Sequence, residues 1–139
     1  MESKLVIIDK IGGGCLVIDP KNIISLIIGR KDSDMLSIYS STEDFKKSKQ
    51  YLIKKNIYLV ENILKKDPFV EFTLDDVELS IYINKEYINY IETNVKNGGE
   101  TFTSIDNIVY TIDKDLYKIK ETALEIKTRI NGTIEEDES

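Results

Sequence analysis

The sequence predicts an α+β fold of internally duplicated β-β-β-β-α units, with mainly antiparallel sheets covered by two amphipathic helices. Three observations carry that expectation. Apolar and polar residues alternate through "VEFTLDDVELSIYI" (residues 70–83), and a period of two belongs to half-buried strands. The stretch "VIDPKNIISL" reappears in altered form as "YINKEYINYI". Leu116, Ile119, Ala123, Ile126 and Ile130 recur at steps of three and four, the spacing of one helix face.

The elements follow in order. Residues 5–11 and 15–19 are β-rich runs separated by Gly12, Gly13 and Gly14, which reads as a hairpin. Asp19-Pro20 is a turn, followed by the strand "NIISLIIG" and, after a polar loop, the strand "MLSIYS". Thr42, followed by Glu43 and Asp44, has the chemistry of an N-cap and an acidic first turn. A first helix is therefore expected from Thr42 to Lys66, with Ile53, Ile57, Val60 and Leu64 as its later stripe and Asp67-Pro68 as its stop. In the second half, Val70, Phe72 and Leu74 oppose Glu71, Thr73 and Asp75. Val77, Leu79, Ile81 and Ile83 then share a face, with Ser80 and Tyr82 opposite. "YINYIE" and "NIVYTI" are the next strands, and a second helix is expected from an Asp113 cap to Asn131-Gly132.

Comparison of the halves sets Ile18 against Ile83, Asp19 against Asn84, Ile23 against Ile88 and Leu26 against Ile91. Later, "YSSTEDFKKSK" aligns with "YTIDKDLYKIK". Three segments are expected: a first β-rich repeat with its long helix over 1–66, a second repeat with its helix over 67–132, and an acidic tail over 133–139. Together they form one compact domain.

At "CLVIDPKNIISL" and "MLSIYSSTEDFKKSKQYL" the first half resembles a small family of bacterial and phage β-strand/helix proteins of the flagellar FlbD type. Asp19, Pro20, Ile23, Leu26 and Thr42 stand at the matching positions. The chain departs from that pattern at "RKDSD", where a turn glycine is usual, and at Lys85, where the second half lacks the proline. The resemblance implies a non-enzymatic protein and supplies no catalytic residue.

Composition narrows the chemistry. With 41% hydrophobic and 32% charged residues the balance is globular. The 139 residues contain no histidine, no tryptophan and one cysteine. Ser-His and Cys-His nucleophile pairs are thereby excluded, along with histidine acid–base work and nearly every zinc or iron site. No metal and no cofactor is expected. The net charge of −6, from 25 acidic and 19 basic residues, lacks the footprint of a duplex-binding protein. No apolar run reaches the roughly 18 residues of a membrane span, and "MESKLVIID" has no signal-peptide pattern. A cytoplasmic location is the expectation.

Candidate sites are few. Gly12-Gly13-Gly14 lacks the Lys-Ser/Thr and the following helix of a phosphate-binding loop, so it is a turn. Cys15 has no histidine to activate it, and a small semi-buried strand residue is expected there. Tyr82, Tyr87, Tyr90 and Tyr110 are all expected in the strands of the second half, where tyrosines stack on a base, anchor a protein interface or cap the core rim. Arg30-Lys31 follows the third strand and either clamps an anion or sits in solvent. The expected function is a non-enzymatic, homo-oligomeric binding protein acting as an inhibitor or adaptor by protein–protein interaction, of a kind suited to a phage or prophage. The alternative is a sponge that sequesters a small nucleotide signal of host defence, with Arg30, Lys31, Tyr82 and Tyr90 as ligand-binding residues. An enzyme would have to work through Asp, Glu or Lys.

Overall fold

The computed structural model describes residues 5–41, 46–97, 103–112 and 115–132. These residues form ten strands and two short helices. In the first half, β1 (Val6–Asp9) and β2 (Cys15–Ile18) form a hairpin. A 3₁₀ turn (Pro20–Asn22) leads into β3 (Ile23–Ile27), β4 (Ser33–Ser41) and β5 (Lys46–Lys54). Helix α1 (Ile57–Leu59) closes the half and runs on as a π-helical turn over Val60–Leu64. In the second half, β6 (Phe69–Thr73) and β7 (Ser80–Asn84) pair, and a 3₁₀ turn (Lys85–Tyr87) follows. Then come β8 (Ile88–Asn97), β9 (Thr103–Thr111), β10 (Leu116–Ile119) and α2 (Ala123–Asn131).

The strands lie in three antiparallel sheets ordered β1-β2, β5-β4-β3-β7-β6 and β10-β9-β8. Single bridges stitch these together, Lys10 to Ile53 and Leu74 to Ile119. The sheet path therefore runs β2-β1-β5-β4-β3-β7-β6-β10-β9-β8, and β3 against β7 is the seam between the halves.

Two expectations are corrected. The chain is mostly strand, and its helices are short rather than two long covering helices. Residues 46–54, expected to be helical, form β5, which pairs with β4 along nine register positions. Tyr51 and Ile53 turn inward, while Leu52 and Lys54 turn out, and a ladder of that length satisfies the backbone groups a helix would have satisfied internally. Likewise Leu116–Ile119 is a strand, with Ile119 buried and Leu116 exposed. Each half thus has five strands where four were expected. The expected caps Thr42 and Asp113, with Glu43 and Asp44, lie outside the described residues.

The helices begin instead where side chains can cap them. The Asn56 side chain accepts from the Leu59 amide, and Thr122 and Glu125 form a reciprocal capping box. Helix α2 buries Ile126 and half-buries Ile130, whereas Leu124 is exposed, so it covers its sheet with a narrow stripe.

The glycine loop is a hairpin turn, and Cys15 at its end is a strand residue that is exposed rather than semi-buried. Gly13 and Gly14 have φ of 108° and 79°, which a side chain would strain. In the second hairpin Glu78 adopts a φ of 56°.

Two apolar clusters form the core. The first includes Ile8, Leu26, Leu36, Ile53, Leu59 and Tyr82; the second includes Phe72, Ile81, Ile83, Val109 and Ile119. Strand β7 has neighbours on both edges and clusters on both faces. This is why Tyr82, which alternation places opposite Ile81 and Ile83, is 4% exposed rather than on a wet face.

Candidate functional site

Three places combine geometry with chemistry. The first is the seam. Asn84 at the end of β7 is fully buried. Its Nδ2 donates to the Ile23 carbonyl at 3.1 Å, and its Oδ1 accepts from the Glu86 amide at 3.0 Å. Above this seam a cleft of about 680 Å³ opens between the first 3₁₀ turn, the α1 segment and the Asp67-Pro68 link. Lys21, Tyr58, Asn62 and Lys66 reach it from the first half, and Pro68 and Glu86 from the second. Its volume falls within the range of small-ligand sites, and its charges are mixed.

The second place is the β3–β4 loop. Asp34 is buried, and its Oδ1 accepts from the Gly29 amide at 2.8 Å and from Lys55 Nζ at 2.6 Å. Lys55 Nζ also donates to the Gly29 carbonyl. A Cβ on Gly29 would lie 2.1 Å from the Ser33 carbonyl oxygen, so the loop closes only with glycine there. Beneath it a cavity of about 310 Å³ is lined in part by Lys55, Lys65, Ser80 and Tyr82. Burial raises the Tyr82 phenol above its usual value, and the Glu71 carboxylate adds to this. Lys65 is held protonated by its hydrogen bond to Glu61 at 3.1 Å. A second buried carboxylate, Glu121, lies in the second half. It accepts from the Thr73 amide at 2.9 Å and pairs with Arg129 at 2.8 Å.

The third place is a row of exposed and half-buried side chains across β8, β9 and β10. Tyr90, Tyr110 and Leu116 are neighbours in register, with Tyr90 51% and Leu116 56% exposed. The two rings stack at 4.5 Å between centroids. The Tyr110 hydroxyl donates to Glu92 at 3.3 Å; desolvation, then this carboxylate, raises the Tyr110 phenol. Further along the same hairpin Val95 and Ile105 face each other and are 62% and 60% exposed. Cross-strand aromatic and branched pairs of this kind normally lie under a cover.

The residues singled out in the sequence are dispersed among these places. Arg30 and Lys31 are exposed in the β3–β4 loop, and the Arg30 guanidinium donates to the Val77 carbonyl. Tyr82 lines the smaller cavity, Tyr90 belongs to the exposed row, and Tyr87 lies in the 3₁₀ turn before β8 rather than in a strand. Arg30, Lys31, Tyr82 and Tyr90 share no cavity among the described residues. Asp34, Lys55 and Glu121 carried no signal in the sequence beyond being charged. Asn84 did carry one, because the repeat aligned it with Asp19. Among the described residues no three His, Cys, Asp or Glu side chains cluster as metal ligands. Among the described residues no helix is long and apolar enough to cross a membrane. No family model matches this chain, and neither a curated protein nor a solved structure matches it.

Proposed function

We propose that this chain is a non-enzymatic interaction protein built from two copies of one five-stranded unit. It acts as an inhibitor or adaptor through the exposed Tyr90–Tyr110–Leu116 row. That row is the observation that carries the reading. Contiguous aromatic and aliphatic side chains, stacked and half in water, are what protein partners cover.

Register supports the two-copy construction. Asp19 and Asn84 each cap a 3₁₀ turn by accepting from the amide two residues on. The pairing irregularity between Ile23 and Ser25 has its counterpart between Ile88 and Tyr90. The bridge Lys10–Ile53 corresponds to Leu74–Ile119, and the amide bond from Ile11 to Leu52 corresponds to that from Asp75 to Lys118. Gly13 and Glu78 occupy the same turn position with positive φ. Buried Asp34 stands where Asn107 stands, each reaching the residue before a helix cap: Lys55 before Asn56, and Glu121 before Thr122. Over the last strand this correspondence differs from the one read in the sequence, because the bridges align Ile53 with Ile119 rather than Lys49 with Lys120.

The test compares wild-type chain with Tyr90→Lys and Leu116→Glu as bait in extract of the source organism. Both variants fold as wild type and lose the recovered partner. Recovery of the same partner in the same amount by both variants refutes the reading. A second reading, capture of a small nucleotide, rests on the 680 Å³ cleft with Lys21 and Lys66 at its wall. It predicts a rise in melting temperature with a nucleotide panel, abolished by Lys66→Glu. No shift at millimolar nucleotide overturns it.

A further inference from the structure

The seam inside the chain has two ends that match it outside the chain. Across the seam Ser25 pairs with Ile83, Leu26 with Tyr82 and Ile27 with Ile81. By the correspondence of halves, β3 is the counterpart of β8 and β7 the counterpart of β2. Among the described strands, β8 pairs only with β9, and β2 only with β1. The sheet path therefore ends on the two strands that the internal seam would join next. We infer that β8 of one copy pairs with β2 of a second copy, head to tail, repeating between chains the β3–β7 seam within the chain. This rests on the two-copy construction proposed above and names the occupant of the exposed row.

Burial supports the assignment. Ile23 through Leu26 on β3 and Ile81 through Asn84 on β7 are buried at the inner seam. Their counterparts at the ends are less buried: Leu16, Ile18, Ile88 and Ile91 are half-buried, Val17, the counterpart of Tyr82, is 55% exposed, and Tyr90, the counterpart of fully buried Ser25, is 51% exposed. The exposed row has a counterpart that is covered on the two strands nearest the seam. Gln50, Ser37 and Ser25 are register neighbours across β5, β4 and β3. Ser25 and Ser37 are buried while Gln50 is exposed, and the Ser25 hydroxyl lies 3.5 Å from the Tyr117 hydroxyl of the second half. The face that the second unit covers on the first is the face left bare on the second.

The register follows. Ile91 pairs with Val17 of the second copy, Tyr90 with its Ile18, and Glu92 with its Leu16. Across the inner seam the Ile28 amide donates to the Ser80 carbonyl. Ladder alternation then makes Leu26–Tyr82 the next hydrogen-bonded pair, and Ile91–Val17 its copy between chains. One inner contact has no copy. The Asn84 amide donates to the Ile23 carbonyl, whereas Asp19 in the same place has no donor to offer Ile88.

Because the two edges differ, the contact is heterologous, and successive chains close into a ring or extend as a filament. The test uses purified full-length chain, with mass measured by light scattering across a hundredfold concentration range. Wild type is expected as a discrete oligomer or a polymer. Val17→Pro and Ile91→Pro each block one edge by removing an outward amide from an edge strand, where proline is tolerated. Each alone is expected to be monomeric with wild-type circular dichroism. Mixed, the two variants retain one intact β8 and one intact β2 between them, and a 1:1 dimer is expected. Wild type that stays monomeric overturns the pairing. So does an oligomer that both variants retain, or a mixture that forms no dimer. Loss of assembly with partner recovery intact would leave the interaction reading standing with a different surface. Where proline unfolds the strand, Val17→Lys and Ile91→Lys serve the same comparison.

Discussion

The Asp34 clamp gives a quantitative test of what holds the β3–β4 loop. Asp34→Ala removes the acceptor from the Gly29 amide and the anion from Lys55. An amide left unsatisfied away from water costs about 1–3 kcal/mol. The Lys55 side chain is 38% exposed, so water takes over much of the lost pairing, and its share is about 1 kcal/mol at most. The expected loss is roughly 3 kcal/mol. Asp34→Asn keeps an oxygen for the Gly29 amide and gives up only the charge, for a loss of about 1 kcal/mol. With a urea slope of about 2 kcal/mol per molar, the unfolding midpoint falls by roughly 1.5 M for alanine and 0.5 M for asparagine. Urea titrations followed by circular dichroism measure both. Equal midpoints for the two variants would mean that the carboxylate's charge, rather than its acceptor, holds the loop, and the argument would fail.

Three further outcomes follow from particular contacts. Gly29→Ala forces its new Cβ away from the Ser33 carbonyl and lowers stability by about 1–3 kcal/mol; combined with Asp34→Ala the losses add to less than their sum, since both open one loop. Thr122→Ala removes half of the capping box at α2 and lowers stability by about 1 kcal/mol in the same urea assay. Tyr82, Tyr87 and Tyr110 ionise above the ordinary tyrosine value of 10.0, burial being the first cause in each. Their folded values exceed the unfolded ones, so this stability is complete below that pH and is lost as pH rises through the folded values. Ultraviolet absorbance in alkaline titration is expected to show a late tyrosine fraction coincident with unfolding, and a single ordinary titration of all eight tyrosines would contradict it.

The hairpins were legible because alternation is a local signal. Val70 and Phe72 are buried, Glu71 is exposed, and β1 and β2 flank the glycine turn as expected. The helices were misread because their signals overlap with those of strands. Ile119, Ile126 and Ile130 fit a helical stripe whether or not a strand supplies the first of them. "TEDFKKSKQYLIK" carries the acids and lysines of a helix start, while its Tyr51 and Ile53 also fit a period of two. The sequence Thr122-Ala123-Leu124-Glu125 was the better start signal, since Thr-x-x-Glu is the capping box that forms. The burial of Tyr82 could not be read locally. It depends on β7 lying between β3 and β6 with an apolar cluster on each face, and the β3 side of that follows from a pairing between residues far apart in the chain.

The path of the sheet also has a kinetic meaning. Within each half, most pairings are hairpins between consecutive strands, and such loops close at small entropic cost. Closure by the Lys10–Ile53 and Leu74–Ile119 bridges spans further, and the β3–β7 seam joins residues on either side of the chain's midpoint. Contacts of long range form late. Each half can therefore be shaped before the seam exists, and during that interval β3 faces any β7 within reach, its own or a neighbour's. At high concentration during refolding, exchanged seams between chains are the expected error.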